Sequence, residues 1–297
     1  MKTTTKAHIA VLLTNLFFAA NYSLVKMISP SLVKPFALNL LRVGLSLVLF
    51  WSAWLLGRSS ARIRKKDWGR FIWCGLTGVA INQMLFIKGL TLTSTIHASL
   101  LSLVTPLLVT LFALWVLKER FTIYKALGLS LGIGGSVFLI LQKEASHEAT
   151  NYLLGDVLIV INAISYAVYF ILVKPLMQHY SPLQVIRWVF TIGFFMILPF
   201  GWQQTLEINW TSFQWQHYVA LFGVVVTGTF LAYYFNAYGI QHIGAGNAGS
   251  YIYTQLVFAV LIATLILGET LTWQKLVSAC LIFAGVYLVS FRKEKTA

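Results

Sequence analysis

The chain alternates long apolar runs with short polar breaks. Ten of the runs approach the length that a helix needs to cross the hydrocarbon layer of a membrane, about 20 residues with a range near 17–25. We predict that all ten are transmembrane helices, because backbone groups in lipid must be hydrogen-bonded internally. The predicted spans are 8–25, 36–56, 71–87, 96–117, 123–141, 153–173, 183–200, 218–238, 245–267 and 276–291.

Composition supports an all-α integral membrane protein. Hydrophobic residues make up 58% of the 297 residues and charged residues 10%, whereas soluble domains contain about 25% charged residues. So few polar side chains cannot cover a soluble fold of this size. The first run resembles a secretory signal, but it contains Asn15 and Asn21 and lacks a small-residue cleavage site. We therefore predict that it is retained as the first span.

The formal net charge of +14 comes mainly from Lys and Arg residues in the breaks between the runs. In a soluble protein such a charge would suggest nucleic-acid binding, but we predict no nucleic-acid partner here. Because Lys and Arg are enriched in cytoplasmic loops, the dense group between Arg58 and Arg70 favours cytoplasmic positions for both termini. The expected location is the cell membrane, the inner membrane if the cell is Gram-negative, with lipid as the surrounding partner.

The two halves of the chain match at a constant offset of 150 residues. The most informative matches are Thr77-Gly78 with Thr227-Gly228, and the frame Glu-x-x-Thr-x-x-Lys at 119–125 and 269–275. We predict one membrane domain, 1–297, built from two five-helix repeats, 1–145 and 150–297. Since five is odd, the second repeat enters the membrane inverted. This construction is typical of secondary transporters that bind substrate near the midplane.

Glu119 and Glu269 follow the fourth and ninth runs, at opposite predicted faces of the membrane. Thr122 and Thr272 are suited to cap the helices that come next, and a preceding glutamate can interact with the positive end of a helix dipole. Three roles stay open for the two glutamates: a structural turn, a gate latch that makes and breaks an ion pair, and a substrate ligand.

Two stretches carry a family resemblance. They are "ASLLSLVTPLLVTLFALWVLKERFT" at 98–122 and "GNAGSYIYTQLVFAVLIATLILGETLT" at 246–272. With its ten predicted spans in two halves, the chain resembles the EamA-like family of the drug/metabolite transporter superfamily over nearly its whole length. The resemblance implies export or facilitated movement of small metabolites, amino acids or amphipathic compounds.

The family pattern places a proline in the middle of the fourth and ninth spans and Gly-Glu at their ends. Pro106 and Glu119 match in the first half, with Lys118 where glycine is usual. Gly268-Glu269 matches in the second half, but Leu256 replaces the proline. Pro106 removes a helix hydrogen bond and predicts a kink, which is either a hinge for alternating access or a static bend.

Polar residues recur at helical spacing on the first, third, fourth, sixth, eighth and ninth runs. Polar groups within lipid are costly and face a cavity or another helix, so each is either a pathway contact or an interhelical hydrogen bond worth about 0.6 kcal/mol. We predict that these six helices surround a cavity, as the family resemblance also implies. The candidate substrate-binding residues are Asn15, Tyr22, Gln83, His97, Asn162, Tyr166, Tyr169, Tyr233, Asn236, Asn247 and Tyr251.

His97 lies within a span, and an imidazole changes charge near neutral pH. It is either a packed histidine or a contact to substrate or protons, which makes protons a candidate coupling ion. The runs carry no acidic residue at mid-span, and Asp156 lies near the start of the sixth. Arg42 and Arg187 lie inside the second and seventh spans, where we predict that they anchor the structure.

Two motifs match enzyme fingerprints without the required context. G-x-G-x-x-G at 244–249 follows an apolar run rather than a strand, and G-x-S-x-G at 128–132 lies in the middle of the fifth span, where it favours helix packing. Cys74 and Cys280 lie alone in apolar segments and predict neither a metal site nor a disulfide. We therefore predict no enzymatic activity, no cofactor and no metal.

These patterns together predict a secondary transporter that moves a small metabolite by alternating access, with export as the expected direction. A cavity rich in Tyr, Asn and Ser suits a neutral or zwitterionic ligand, or one with an aromatic or cationic part. If the transported ligand differs, the alternative is a multidrug or organic-cation efflux pump. If the class of protein differs, the alternative is a membrane-embedded enzyme or sensor. Both a monomer and a homodimer are compatible with the sequence.

Overall fold

A computed structural model describes residues 3–57, 63–116, 122–141 and 151–290, with backbone alone at 113–116, 240, 244–250 and 289–290. Glu119 and the side chain of Asn247 therefore lie outside the described residues. Every regular element in the described part is helical. Eight helical segments of the described part are long and apolar enough to cross a membrane, one of them, Thr95–Phe112, being divided by a two-residue break. Two shorter apolar helices, Ile252–Leu267 and Trp273–Leu288, occupy the ninth and tenth predicted runs.

The helices follow one another with short connections. In chain order they are α1 (Thr3–Ile28), α2 (Pro35–Gly57), α3 (Lys65–Leu90), α4 (Thr95–Ser102), α5 (Thr105–Val116), α6 (Ile123–Ile140), α7 (Tyr152–His179), α8 (Pro182–Leu206), α9 (215–250), α10 (Ile252–Leu267) and α11 (Trp273–Ser290). A short 3-10 turn, Trp210–Ser212, precedes α9.

The fourth predicted span is two helices rather than one kinked helix. α4 ends at Ser102, and the amides of Leu103 and Val104 bond to carbonyls three residues back, at 3.1 and 3.0 Å. Pro106 is the second residue of α5, where its missing N–H removes no helical hydrogen bond. The proline thus accompanies a break, and α4 is a separate short helix.

Two predicted boundaries are wrong. The expected break before the ninth span is absent, because α9 continues to Ser250 and α10 begins at Ile252. Residues 239–250 contain no proline, so a helix can continue through them. The G-x-G-x-x-G motif consequently lies inside a helix.

The predicted end of the seventh span is also too early, because α8 continues through Pro199 to Leu206. Its last turns are tied to α2, since the side-chain Oε1 of Gln204 accepts hydrogen bonds from the backbone amides of Phe36 and Ala37.

Helical turns of the wider π type occur at Leu76–Ala80 in α3 and Val226–Leu231 in α9. These two turns contain the matched Thr-Gly pairs. A Cβ added at Gly78 would collide with the Tyr169 ring, and one at Gly228 would collide with the Asn21 amide. Each glycine therefore permits the close approach of a helix from the other half of the chain.

The helices pack mainly across the two halves. α1 contacts α9, α3 contacts α7, α2 contacts α8 and α6 contacts α11. In the last pair, a Cβ on Gly285 would meet the backbone of Gly128 and Gly132. The predicted packing role of the G-x-S-x-G motif is thereby confirmed, since its glycines let two helix backbones approach closely.

Candidate functional site

Tyr22 lies in a buried polar network where α1, α4 and α10 meet. Its hydroxyl donates to Ser102 Oγ at 2.9 Å and accepts from Gln255 Nε2 at 3.3 Å. The edge of the Phe86 ring packs against it, with 5.2 Å between centroids. The network brings residues from three helices together at the point where α4 ends.

Gln83 and Tyr233 form a second polar contact, between α3 and α9. Gln83 Nε2 donates to the Tyr233 hydroxyl at 3.4 Å. The Tyr233 ring is held by edge contacts with Phe18 and Phe190, at centroid distances of 5.6 and 5.1 Å. Both residues were predicted as substrate contacts, and the structure places them directly against each other.

Arg42 lies beside this pair, a position that sequence reasoning missed. Its Nε donates to Thr229 Oγ1 at 2.7 Å, and the side chain is 3% exposed. One turn further along α2, Ser46 donates to the Val225 carbonyl at 3.1 Å. The available signal was an unpaired charge in the middle of an apolar run, but nothing in the local sequence indicated that α2 faces the π turn of α9.

Of the three predicted site residues of α7, Asn162 joins two helices, and Tyr166 and Tyr169 contact each other. Asn162 and Asn82 bond reciprocally, since each amide donates to the other residue's carbonyl, at 2.7 and 3.3 Å. Tyr166 and Tyr169 stack with centroids 5.8 Å apart. The structure thus gives Asn162 an interhelical hydrogen bond, one of the two roles left open for such residues.

The remaining predicted site residues are spread along the molecule. Asn15 donates to Val11 within its own helix at 2.8 Å. Tyr251 contacts His8 at 2.9 Å, near the beginning of α1. Asn236 is half-buried in α9. None of these three lies in the Tyr22 network or the Gln83–Tyr233 contact, and their assignment as substrate contacts stays a prediction.

Glu269 caps the beginning of α4 from the other half of the chain. Its carboxylate accepts from the amides of Thr95 and Ile96, at 2.7 and 2.9 Å, and the residue is 2% exposed. Gly268, in a left-handed conformation with φ of 70°, turns the chain into this position. The Ser94 hydroxyl accepts from the His97 amide at 3.1 Å. Free amides and the positive end of the dipole make a helix start a natural carboxylate site.

His97 forms a hydrogen-bonding contact with a carboxylate that sequence analysis did not predict. Its Nδ1 lies 2.9 Å from Asp156 Oδ2, both side chains being fully buried. Thr93 donates to the other oxygen of Asp156 at 2.5 Å, and the Tyr152 ring packs against His97. The only signal was the isolated aspartate near the start of the sixth run. His97 thus lies about one and a half helical turns from Ser102, away from the Tyr22 network.

These contacts lie together at one end of the helix bundle. We call the group consisting of Thr93, Ser94, Thr95, Ile96, His97, Asp156 and Glu269 the α4 seal. All seven are buried. Two carboxylates, one from α7 and one from the turn after α10, bind the short connection and first turn of α4. Two segments of the second half are therefore attached to one helix of the first half.

The opposite end contains a cleft. It has a volume of about 220 Å³ and is lined by Trp54, Gly57, Ser181, Pro182, Leu183, Tyr234, Tyr238 and Gln241. Because α7 begins at the seal and ends at His179, the neighbouring Ser181 marks the other end of the bundle. We call this opening the α2–α9 cleft.

The helical fold, with its eight long apolar helical segments, defines an integral membrane protein with many membrane-spanning helices. The model of the EamA-like transporter family matches the chain twice, at residues 5–141 and 153–291. The chain belongs to this family of transporters. The resemblance found in the sequence is confirmed.

Similar proteins occur in bacteria, plants and archaea. The uncharacterized transporter YetK of Bacillus subtilis is 24% identical, over 84% of this chain and 76% of its own. A WAT1-related protein of Arabidopsis thaliana, At3g53210, is 26% identical, over 97% and 86%. A solved crystal structure matches with a TM-score of 0.62 at 19% identity, covering 96% of this chain and 95% of that one. That likeness concerns the fold.

Proposed function

We propose that the protein is a secondary transporter that moves a small metabolite by alternating access and exports it from the cell. The solute class is an amino acid or a similar zwitterionic or amphipathic compound. Membership of the family supplies the general role of a transporter. The observation that supports alternating access is the contact between equivalent positions of the two halves.

The proposed architecture is ten transmembrane helices in two inverted five-helix repeats. Gln83 bonds to Tyr233, and a Cβ on Gly44 would lie 3.0 Å from the Phe194 ring. Both pairs join positions 150 residues apart. A position contacts its own equivalent only near the axis that relates two copies. The two family matches and the two equivalent π turns support the same duplication.

The exchange of helix partners also supports inverted repeats. α1 packs against α9, while α7, the equivalent of α1, packs against α3, the equivalent of α9. α2 with α8 and α6 with α11 are each pairs of equivalents. Copies related by an axis in the membrane plane produce this pattern, and substrate sites of such transporters lie near that axis.

In the proposed cycle this structure is the state in which the α4 seal is shut. Solute would enter from the α2–α9 cleft and reach the region of Tyr22, Gln83 and Tyr233. Opening the other end requires Glu269 to release the amides of α4. The break before Pro106 separates α4 from α5, so α4 can move without carrying the whole span.

The proposed orientation places both termini in the cytoplasm, in the cell membrane, with the seal outside and the cleft inside. Single cysteines test it in a variant that lacks Cys74 and Cys280. We expect Asn209→Cys to react with an impermeant maleimide on intact cells and Lys66→Cys to react only after permeabilisation. Labelling of both from the same side would contradict the inverted arrangement.

Transport is tested with purified protein in liposomes. We expect outward movement of one or more amino acids from a panel that also contains organic cations, with protein-free liposomes and the Gln83→Leu variant as controls. Movement of cations alone would favour the efflux-pump alternative. Movement of no solute would favour a membrane-embedded enzyme or sensor.

Two further properties of the proposed transporter can be measured, its coupling to protons and its oligomeric state. Rates measured with and without an imposed pH gradient decide whether protons are coupled to the solute. Light scattering in detergent distinguishes the monomer from the homodimer.

A further inference from the structure

Five charged side chains are buried in the described part of the chain, and four of them contact a histidine, backbone amides, a backbone carbonyl or aromatic rings. Asp156 pairs with His97, and Glu269 accepts two helix amides. The Lys275 ammonium donates to the Thr270 carbonyl at 2.9 Å. The Arg187 guanidinium lies over two tryptophan rings, with 4.4 Å to the Trp51 centroid and 3.9 Å to that of Trp54.

Arg42 and Arg187 both have guanidinium nitrogens without hydrogen-bond partners in the described chain, but Arg187 lies over aromatic rings, whereas the contact of Arg42 is with a neutral hydroxyl. The Arg42 guanidinium donates to the Thr229 hydroxyl, while Nη1 has no hydrogen-bond partner among the described residues. The two buried carboxylates of the described chain are both bound in the α4 seal. Burying an ion costs several kcal/mol even after the protein relaxes, and charges within membrane spans mark the routes of ligands and ions.

Other buried polar groups near Arg42 also lack partners in the described chain. Gln83 Oε1 is one, although its Nε2 reaches Tyr233. Asn21 Oδ1 is another, and it faces Gly228, the residue before Thr229. Each of these amide oxygens is a hydrogen-bond acceptor. A donor and two acceptors without partners in the described chain therefore come from three helices, two of these groups lying beside the π turn of α9 and the third, on Gln83, beside Tyr233 just after it.

We propose that this group, which we call the Arg42 site (Asn21, Arg42, Gln83, Thr229 and Tyr233), binds the carboxylate of the transported solute. The inference rests on the proposed transport function and narrows its substrate class. A guanidinium binds a carboxylate through two parallel N–H···O bonds. The amide oxygens of Gln83 and Asn21 accept from an ammonium or hydroxyl group of the same solute.

The surroundings limit the solute further. The Phe18 and Phe190 rings that hold Tyr233 provide an apolar wall. A small amino acid or hydroxy acid with an apolar side chain satisfies the donor, the acceptors and this wall together. A simple organic cation would be repelled by the guanidinium. Arg42 and Thr229 are buried here, so binding accompanies a separation of α2 from the π turn.

Matched pairs of solutes test the assignment. The probes are neutral L-amino acids, each with its own carboxamide, which keeps the shape and removes the negative charge. We expect the acids to raise the unfolding temperature of the purified protein and to bind about ten- to a hundredfold more tightly than the amides. Counterflow in liposomes should show the same preference.

Substitution of Arg42 separates recognition from a purely structural role. We expect Arg42→Gln to remove the preference for acid over amide, and Arg42→Lys to keep part of it because the charge remains without the planar fork. Arg187→Lys is the matched control and should leave the ratio unchanged. A structural role would lower the unfolding temperature without altering the ratio. If Arg42→Gln does not fold, the wild type and Arg42→Lys still give the comparison.

The outcomes are distinct. Equal binding of acids and amides, binding of none of the acids, or an unchanged ratio in Arg42→Gln would overturn the Arg42 site. Transport without a carboxylate preference would overturn this site alone and leave the proposed transporter standing. Absence of transport for every solute, while the acids bind and the amides do not, would count against the transport function and leave the site in place.

Discussion

The two ends of the helix bundle are built differently. At the α4 seal, two buried carboxylates bind a helix start and a histidine across the two halves of the chain. At the other end, the α2–α9 cleft is lined by aromatic and small side chains around open space. A few buried polar bonds join the helices at the first end, whereas the second end has a cleft. The difference predicts that single substitutions at the seal have far larger effects than comparable ones at the cleft.

The largest expected effect follows removal of the Glu269 carboxylate. Glu269→Ala leaves two buried amides without acceptors, and we expect a loss of about 3 kcal/mol or more in the free energy of unfolding, because each bond to a charged group contributes about 1.5–3 kcal/mol. Thermal denaturation in detergent measures it. Glu269→Gln keeps an acceptor and distinguishes the open roles. A folded variant with an altered transport rate supports the latch, and loss of folding supports the structural turn.

A smaller effect is expected for the ion pair behind α4. Asp156→Asn should cost about 2 kcal/mol, because the bond to His97 loses its charge in a buried setting. The double variant with His97→Gln should cost less than the sum of the two single changes, by about 0.5–3 kcal/mol. Additive losses would show that the pair does not act as a unit.

Glycines at the two ends offer a direct comparison. A Cβ on Gly155 would lie 2.7 Å from the Thr93 amide nitrogen, inside the seal, whereas Gly57 at the cleft has open space around it. We expect Gly155→Ala to destabilise by about 1–3 kcal/mol through overpacking. Gly57→Ala should stay within about 0.5 kcal/mol of the wild type. Equal unfolding temperatures for the two variants would contradict the contrast between the ends.

The smallest effect is expected on the surface at the seal end. Lys34 and Glu207 form an ion pair at 2.5 Å with side chains 60% and 45% exposed. Exposed pairs contribute little because water screens them, so Glu207→Gln should change stability by less than about 0.5 kcal/mol. Raising the salt concentration should remove even that difference. A loss as large as that of Asp156→Asn would show that burial is not what makes the seal strong.

The sequence predicted the helices better than their junctions. The apolar runs indicated helices because ten stretches approach the length of a membrane span, and each of them overlaps a helix of the structure. The break before Pro106 was expected only as a kink, and the continuation of α9 to Ser250 was not expected. Helix ends depend on capping by residues that are distant in the chain, as Glu269 caps α4. The spacing of hydrophobic residues carries no information about such capping.

The roles of the candidate site residues stay predictions, and the structure adds their contacts. Gln83 bonds to Tyr233, and Tyr22 lies in a polar network. Arg42 was predicted to anchor the structure, and the sequence did not show that it would meet Thr229 of α9. Asp156 was set aside because it is not at mid-span, although its partner His97 comes to it from another helix. In both cases the missing information was which helix faces which.

By itself the sequence determined a membrane-embedded helical chain, since long hydrophobic runs in lipid satisfy their backbone as helices, and its resemblance to a transporter family indicated the general role. Only the tertiary structure decided which polar groups meet. The partners of Thr95, Arg42 and His97 lie 174, 187 and 59 residues away along the chain. Each helix satisfies its own backbone, so its local sequence does not specify its neighbours; side-chain packing and the few buried polar contacts between helices do.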